Sequence, residues 1–376
     1  MEKRVLIIGY QFYPQNSPRA FRTYELVKEF VRRGIKVDLI LPNKEVFAEQ
    51  NLVMENDNLN ITYLGDSSSF KRISLANSFK IGFFRQKAKQ IYRYFNPFAE
   101  NRGYINLVYA YLRSHKVDYD LILAIAHPFS TLVGTAKAIR HNDILNQSPV
   151  KIAEYSDPFT VQNLTKMFPL YRVLDRWIAN TFDYLSIPTE KALTSYLKIK
   201  DADKIKVIPQ GFDFSEIELN DYNRNPIPSF GYAGVFYEKI RNPEVFFDYL
   251  VTLECDFRFY LYTSSSNMDT KIMINKYKDR LQDKMVLSYD IPRLELLKRL
   301  RSLDFLINLN NTSNIQVPSK IIDYTLTKRP IYSFSQNDFD VETFQSFMEG
   351  NYERALSVDI TQFDIRNVAD QFLQLR

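Results

Sequence analysis

Short continuous apolar runs recur along this chain, each followed by a polar turn and then by apolar residues at helical spacing. Val5, Leu6, Ile7 and Ile8 lead into Gly9 as a buried strand would. Residues 13–18 hold two prolines among polar neighbours and read as a loop. Phe21, Leu26, Val27 and Phe30 then line one face of a helix that stops at Gly34, and residues 37–41 return as a strand. Such a series is expected to be parallel, with a right-handed crossover. The same pattern predicts strands at 61–64, 121–126, 151–155 and 185–188, and helices over 130–140 and 171–182. Thr189 and Glu190 begin a further helix by capping chemistry.

A polar, proline-bearing stretch at 220–229 interrupts this alternation, which divides the chain into domains at 1–215 and 216–358. A second series starts at once, with a strand and turn at 230–234 and strands at 257–262, 285–289, 305–309 and 331–334. From about residue 360 the chain reads as a last helix, with Val368, Phe372 and Leu373 apolar. The predicted fold class is α/β, with two doubly wound, Rossmann-like parallel-sheet domains.

The 376-residue length agrees with two domains of roughly 150–200 residues each. Apolar residues at 45% and charged residues at 25% are in the balance of a soluble globular protein. Cys255 is the single cysteine, so an internal disulfide and a Cys-rich metal site are excluded and a reducing cytoplasm is expected. The three histidines, His115, His127 and His141, are not spaced as paired metal ligands. The opening apolar run is too short for a signal peptide, and no stretch approaches the ~20 apolar residues that span a bilayer.

The net charge of +5 is unevenly spread: residues 67–113 hold nine cations against one acid, Glu100. Phe70, Phe79, Phe83, Phe84, Tyr92, Tyr94 and Phe95 lie among those cations. Interleaved aromatic and basic residues suit nucleic acid, an anionic membrane surface, or an ordinary basic helix face. No nucleic-acid-binding motif accompanies them, so the membrane is the preferred partner and nucleic acid is not expected.

Candidate chemistry collects at strand ends and helix starts. Pro318 marks a helix start, where unpaired N–H groups and the dipole suit a phosphate; Lys320 adds a full charge in the first turn. Asp323 follows on about the same face, where its carboxylate could accept hydrogen bonds from two sugar hydroxyls; Ile322 and Leu326 would point to the core. The alternative is a Lys320–Asp323 pair on a solvated helix. Gly234 at a strand-to-helix turn permits close backbone approach, and Lys239 and Arg241 could complement a diphosphate, Arg241 being preferred for its forked geometry. His127 and Asp157 each follow a strand, the end at which open α/β sheets bind ligands. Asp157 could orient or deprotonate a hydroxyl, or simply stabilise the turn before Pro158.

The run Pro318-Ser319-Lys320-Ile321-Ile322-Asp323-Tyr324, followed by Lys328-Arg329-Pro330-Ile331, resembles the P-S-K-x-x-E-Y segment of retaining GT-B glycosyltransferases of family four, especially those extending bacterial surface polysaccharides. Arg33-Gly34-Ile35-Lys36-Val37, Val207-Ile208-Pro209-Gln210-Gly211-Phe212-Asp213 and Arg241-Asn242-Pro243 resemble other segments of that family, in the same order. Three departures stand out. The family glutamate is Asp323, its partner glutamate falls at Ile315, and the glycines of the first loop are replaced by Ser17, Pro18 and Arg19. The last departure suggests that Arg19 or Arg22 supplies charge on the acceptor or phosphate side, unless both are solvated residues of a helix start.

The resemblance implies two domains facing a cleft, with a last helix at about 359–376 crossing back to the first. It implies transfer of a sugar, with retention, from a nucleotide diphosphate sugar to a hydroxyl of a glycan, expected to be lipid-linked. His127 and Asp157 would be catalytic; Gly234, Lys239, Arg241 and Lys320 would hold the donor diphosphate; Asp323 would hold the ribose. No cofactor and no metal are expected, and the location would be cytoplasmic, on the inner face of the cell membrane. The alternatives are a catalytically silent subunit of the same fold, which the loss at Ile315 favours, and a nucleotide-sugar epimerase.

Overall fold

The computed structural model describes residues 3–13, 15, 17–43, 56–65, 92, 94–96, 98, 101–147, 150–156, 159–160, 168–215, 222–238, 240–310 and 319–376. The chain divides into two compact units, Met1–Asp213 with Gln362–Arg376, and Phe214–Thr361.

In the first unit, β1 (Arg4–Ile8), β2 (Lys36–Leu41), β3 (Leu59–Tyr63), β4 (Leu121–Ile125), β5 (Val150–Glu154), β6 (Tyr184–Ile187) and β7 (Ile205–Val207) form one sheet in the order β3-β2-β1-β4-β5-β6-β7. All pairs are parallel, with Val5 opposite Val37 on one side and Leu121 on the other. The unbroken apolar runs arise because such strands are buried on both faces. Alternate residues of β1 feed opposite layers. Leu6 and Ile8 pack with Tyr104, Val108 and Leu132, while Val5 and Ile7 pack with Leu26, Val27 and Phe30.

Helices α1 (Pro18–Arg32), α2 (Arg102–Arg113), α3 (Ser130–His141) and α4 (Tyr171–Thr181) cover the sheet. Pro18 opens α1 behind the Ser17 cap, whose hydroxyl accepts from Ala20 N–H at 3.1 Å. Gly134 lets α2 lie close on α3: a Cβ there would stand 2.9 Å from Val108 Cβ and 3.0 Å from the Ile105 carbonyl. The apolar face of α2 (Tyr104, Ile105, Val108 and Leu112) is therefore buried. That corrects the expectation of a membrane-facing 67–113 segment for its last part; residues 67–91, 93, 97, 99 and 100 of it lie outside the described residues.

The second unit holds β8 (Ser229–Ala233), β9 (Arg258–Thr263), β10 (Met285–Tyr289), β11 (Phe305–Leu309) and β12 (Ile331–Phe334) in the parallel order β10-β9-β8-β11-β12. Helices α5 (Glu244–Thr252), α6 (Met268–Leu281), α7 (Arg293–Arg301), α8 (Ser319–Leu326) and α9 (Val341–Glu349) alternate with these strands. The core is rich in phenylalanine: the ring of Phe230 stacks at 5.0 Å on Phe305 and 5.3 Å on Phe259. Buried Asp304 ties the starts of β8 and β11 together, accepting from Ser229 N–H at 2.6 Å, Ser229 Oγ at 3.0 Å and Asn225 N–H at 2.9 Å. The last helix, α10 (Ile365–Leu373), belongs to the first unit, where Ile365, Val368, Ala369 and Phe372 join the α1 side of the core.

Some elements differ from the sequence expectation. The segment after Thr189 is a single 3-10 turn, Glu190–Ala192, and a four-residue helix, Leu193–Tyr196. Strand β7 was not expected; it is a three-residue edge whose apolar content is too brief to register as a strand pattern. Each sheet has one place where neighbouring strands lead their crossovers in opposite directions, between β1 and β4 in the first unit and between β8 and β11 in the second. Ligands of doubly wound sheets bind beyond the carboxyl ends of the strands at such points.

Candidate functional site

In the second unit, β8 ends at Ala233 and turns at Gly234, whose φ of 142° is a region that side-chain-bearing residues rarely enter. A Cβ there would lie 2.4 Å from Lys320 Nζ, so the glycine makes room for that ammonium. Lys320, in the first turn of α8, donates to the Tyr232 hydroxyl at 2.7 Å, and its Nζ stands 4.2 Å from the centre of the same ring. The Tyr232 hydroxyl in turn donates to the Val235 carbonyl at 3.1 Å. Tyr324, one turn further along α8, accepts from Ala233 N–H at 2.7 Å and fixes the helix start against the strand end. Ile322 and Leu326 are buried, as their spacing predicts.

Arg241 is 8% exposed and donates through Nη1 to the Val235 carbonyl at 3.3 Å. Burial and then the nearby Arg241 guanidinium hold the Lys320 ammonium well below the usual lysine range. Burial also pushes the Tyr232 hydroxyl above the ordinary phenol range, so it stays a neutral bridge. Among the described residues no carboxylate pairs with Lys320. Gly234, Arg241 and Lys320 are thus brought together as the sequence predicts; Lys239 lies outside the described residues.

Asp323 does not pair with Lys320. Arg293 of α7 donates to its Oδ1 from Nη2 at 2.7 Å and from Nε at 3.0 Å, which leaves Oδ2 as the other acceptor. Burial raises the Asp323 carboxyl, against the opposing pull of Arg293. At the end of β11, Asn308 and Asn310 both donate to Ser333 Oγ, at 2.8 and 3.1 Å, and the buried Asn308 Oδ1 accepts no hydrogen bond among the described residues. The hydroxyls after β9 satisfy one another: Ser264 and Ser266 stand 2.9 Å apart, and Ser265 N–H donates to Asp290. They behave as turn residues.

In the first unit, His127 is exposed at the end of β4, its ring 6.0 Å from Phe129. Asp157 lies outside the described residues. Tyr155 and Thr160, on either side of it in sequence, donate to buried Asp175 of α4 at 3.1 and 2.7 Å, and burial raises that carboxyl.

The expectation for Arg19 and Arg22 requires correction. Arg22 is 1% exposed; its Nη2 donates to the Ile208 carbonyl at 3.1 Å, its Nη1 to the Pro209 carbonyl, and its Nε lies 3.4 Å from Glu154 Oε1. Burial, opposed by Glu154, lowers its pKa to about 10. Arg19 donates to both oxygens of the same carboxylate, at 3.1 and 3.0 Å. Glu154, at the carboxyl end of β5, answers both cations, so Arg22 is a fold-holding residue and Arg19 is already paired. The sequence reading missed Glu154, Tyr232, Tyr324 and Arg293. A charged residue ending an apolar strand was the available signal for Glu154; Arg293 gave none.

No protein-family model matches the chain, and no curated protein matches it by sequence. Solved structures do match. A glycosyltransferase from Rickettsia africae aligns over 99% of this chain and 97% of its own, with a TM-score of 0.61 at 13% identity. HepE from Anabaena, in complex with UDP, aligns over 99% and 98%, with a TM-score of 0.58 at 13% identity; the same protein with UDP-glucose gives 0.54. The N-terminal domain of a trehalose-6-phosphate phosphatase from Candida albicans aligns over 99% and 96%, with a TM-score of 0.60 at 11% identity. The two parallel-sheet units have the fold of GT-B glycosyltransferase structures. At these identities the likeness is one of fold.

Proposed function

We propose that this chain is a glycosyltransferase that takes a sugar from a nucleotide diphosphate sugar. The observation that carries the reading is the Lys320 ammonium, held by a tyrosine and set against Gly234 and Arg241 at the switch point of the second sheet. Two cations and a glycine-lined approach fit a diphosphate: the cations stabilise the charge of the departing nucleotide, and Gly234 admits its oxygens close to the backbone. Asp323 Oδ2 accepts from the ribose while Arg293 steadies Oδ1. The complexes of Anabaena HepE with UDP and UDP-glucose support a nucleotide sugar as the donor class.

In the same reading transfer proceeds with retention and without a metal, His127 faces the reacting sugar, and Asp157 orients the acceptor hydroxyl. The acceptor is a glycan, lipid-linked, of a surface polysaccharide such as capsule or O-antigen, met at the inner face of the membrane through the part of the 67–113 segment that precedes α2. Among the described residues no helix is long and apolar enough to cross a membrane. The alternative, a silent subunit of this fold, draws support from the carboxylate of Asp323 being engaged by Arg293. Release of free nucleotide from UDP-, GDP-, ADP- or CMP-sugars, measured with a chelator and then with magnesium, separates the two. Turnover of one donor in the chelator supports the transferase; donor binding with no turnover under any condition supports the silent subunit.

A further inference from the structure

On the first unit, away from the carboxyl ends of the strands, α3 and α4 border a groove with a volume of about 780 Å³. Val133, Lys137, Arg140 and His141 of α3 line one side, and Leu174 and Trp177 of α4 the other. That size falls within the roughly 300–1,000 Å³ of small-ligand sites.

The cations here are held by aromatic rings. Arg140 lies over the Trp177 ring at 5.8 Å, and Lys137 over the Tyr109 ring at 5.4 Å. Arg113 at the end of α2 shares Tyr109 at 5.9 Å, and the His141 ring meets its edge at 5.7 Å. Gly134 makes this assembly possible. The close approach of α2 that it permits carries Tyr109 and Arg113 onto the last turns of α3, where Lys137 and His141 lie. His141 donates through Nδ1 to the Lys137 carbonyl at 2.8 Å, which fixes the ring and leaves Nε2 as its other polar atom. Among the described residues, Arg113, Lys137 and Arg140 make no ion pair with a carboxylate. An aromatic face positions a cation while leaving its net charge in place.

We propose that this groove is a second ligand site, specific for a phosphate-bearing group, in which Lys137 and Arg140 contact the phosphate oxygens and Trp177 and Leu174 pack on what the phosphate is attached to. A fork of Arg donors beside a Lys point charge matches the oxygens of a phosphate, and the apolar wall matches an organic substituent. The same chemistry is offered by a soluble phosphate compound and by an anionic lipid headgroup. The site does not depend on Lys320 or Arg241.

Trp177 is the chain's single tryptophan, so its emission reports on this groove. The full chain is titrated with inorganic pyrophosphate, with phosphatidylglycerol vesicles and with phosphatidylcholine vesicles, and Trp177 emission is followed. The expected result is a saturable change with pyrophosphate or with phosphatidylglycerol, weakened by salt, unaltered in Lys320→Met, and about tenfold weaker in Lys137→Gln/Arg140→Gln. A change with pyrophosphate identifies a soluble ligand; a change with phosphatidylglycerol alone identifies a headgroup. The double variant replaces one half-buried and one exposed charge, and its thermal midpoint is measured alongside; each single variant is titrated as well. No emission change with either anionic probe, or equal half-saturation in the wild type and all three glutamine variants, overturns the proposal.

Discussion

Both units bring cations to the carboxyl ends of their sheets, and the two ends treat that charge in opposite ways. At the first, Glu154 answers Arg19 and Arg22, and the guanidinium of Arg22 is further bound by two backbone carbonyls. At the second, Lys320 rests on a tyrosine ring and hydroxyl, beside Arg241, with burial opposing its charge. A cation already matched by a buried carboxylate contributes to the fold. A cation whose charge is left opposed by its surroundings gains most when an anion arrives. That contrast is the ground for proposing nucleotide diphosphate binding at the second end and a structural role for the Arg19, Arg22 and Glu154 group at the first.

The largest effect should come from breaking the first end. Glu154→Ala leaves Arg22 buried without its carboxylate, which should destabilise the chain by roughly 3–5 kcal/mol, measured by denaturant unfolding. A loss below about 1 kcal/mol, the range of exposed ion pairs, would erase the contrast between the two ends. At the second end, Lys320→Met should weaken nucleotide diphosphate binding by roughly ten- to a hundredfold, the worth of one charge-assisted contact of about 1.5–3 kcal/mol, with the fold retained. Gly234→Ala should act on the same site by another route, displacing the ammonium and straining a backbone at positive φ by about 1–3 kcal/mol. Calorimetry and thermal midpoints together separate those two contributions.

A smaller and more diagnostic effect concerns protons. Because the folded Lys320 pKa lies below its unfolded value, the unfolded chain binds the proton more readily, and stability should rise with pH between the lowered pKa and the ordinary ~10.4. Below the lowered pKa both states are charged and the dependence is flat. A bound diphosphate reverses the shift, so binding above the lowered pKa should take up a proton and weaken as pH rises. Titrations in two buffers of different ionisation enthalpy measure that uptake, and its persistence in Lys320→Met would assign it to another group. The smallest change is expected from Asp323→Asn, which keeps the shape but softens both the Arg293 pair and the ribose contact; about tenfold or less in affinity is expected.

Much of this was legible in the sequence because it is local or periodic. The inner strands declare themselves as apolar runs buried on both faces, and Pro318, Lys320, Ile322 and Leu326 announce α8 and its buried side within a few residues. Gly234 was legible as a turn glycine, although the reason for it, the Lys320 side chain, comes from another element. What escaped was pairing over long separations. Arg22 looks like any helix-start arginine until β5 and the 208–209 carbonyls close over it, and Asp323 looks open until α7 delivers Arg293. The hydroxyls of Tyr232 and Tyr324 gave no signal, since nothing in a strand or helix pattern shows that a hydroxyl will bridge an ammonium or brace a strand end.

The most direct test is calorimetric titration of UDP, GDP, ADP and CDP into the wild type and into Lys320→Met. The account predicts that one of these diphosphates binds selectively, more tightly than its monophosphate, and that the variant loses at least about tenfold in affinity. Absence of binding by every nucleotide, or equal affinity in the variant, would contradict the assignment of the second sheet's end as a diphosphate site.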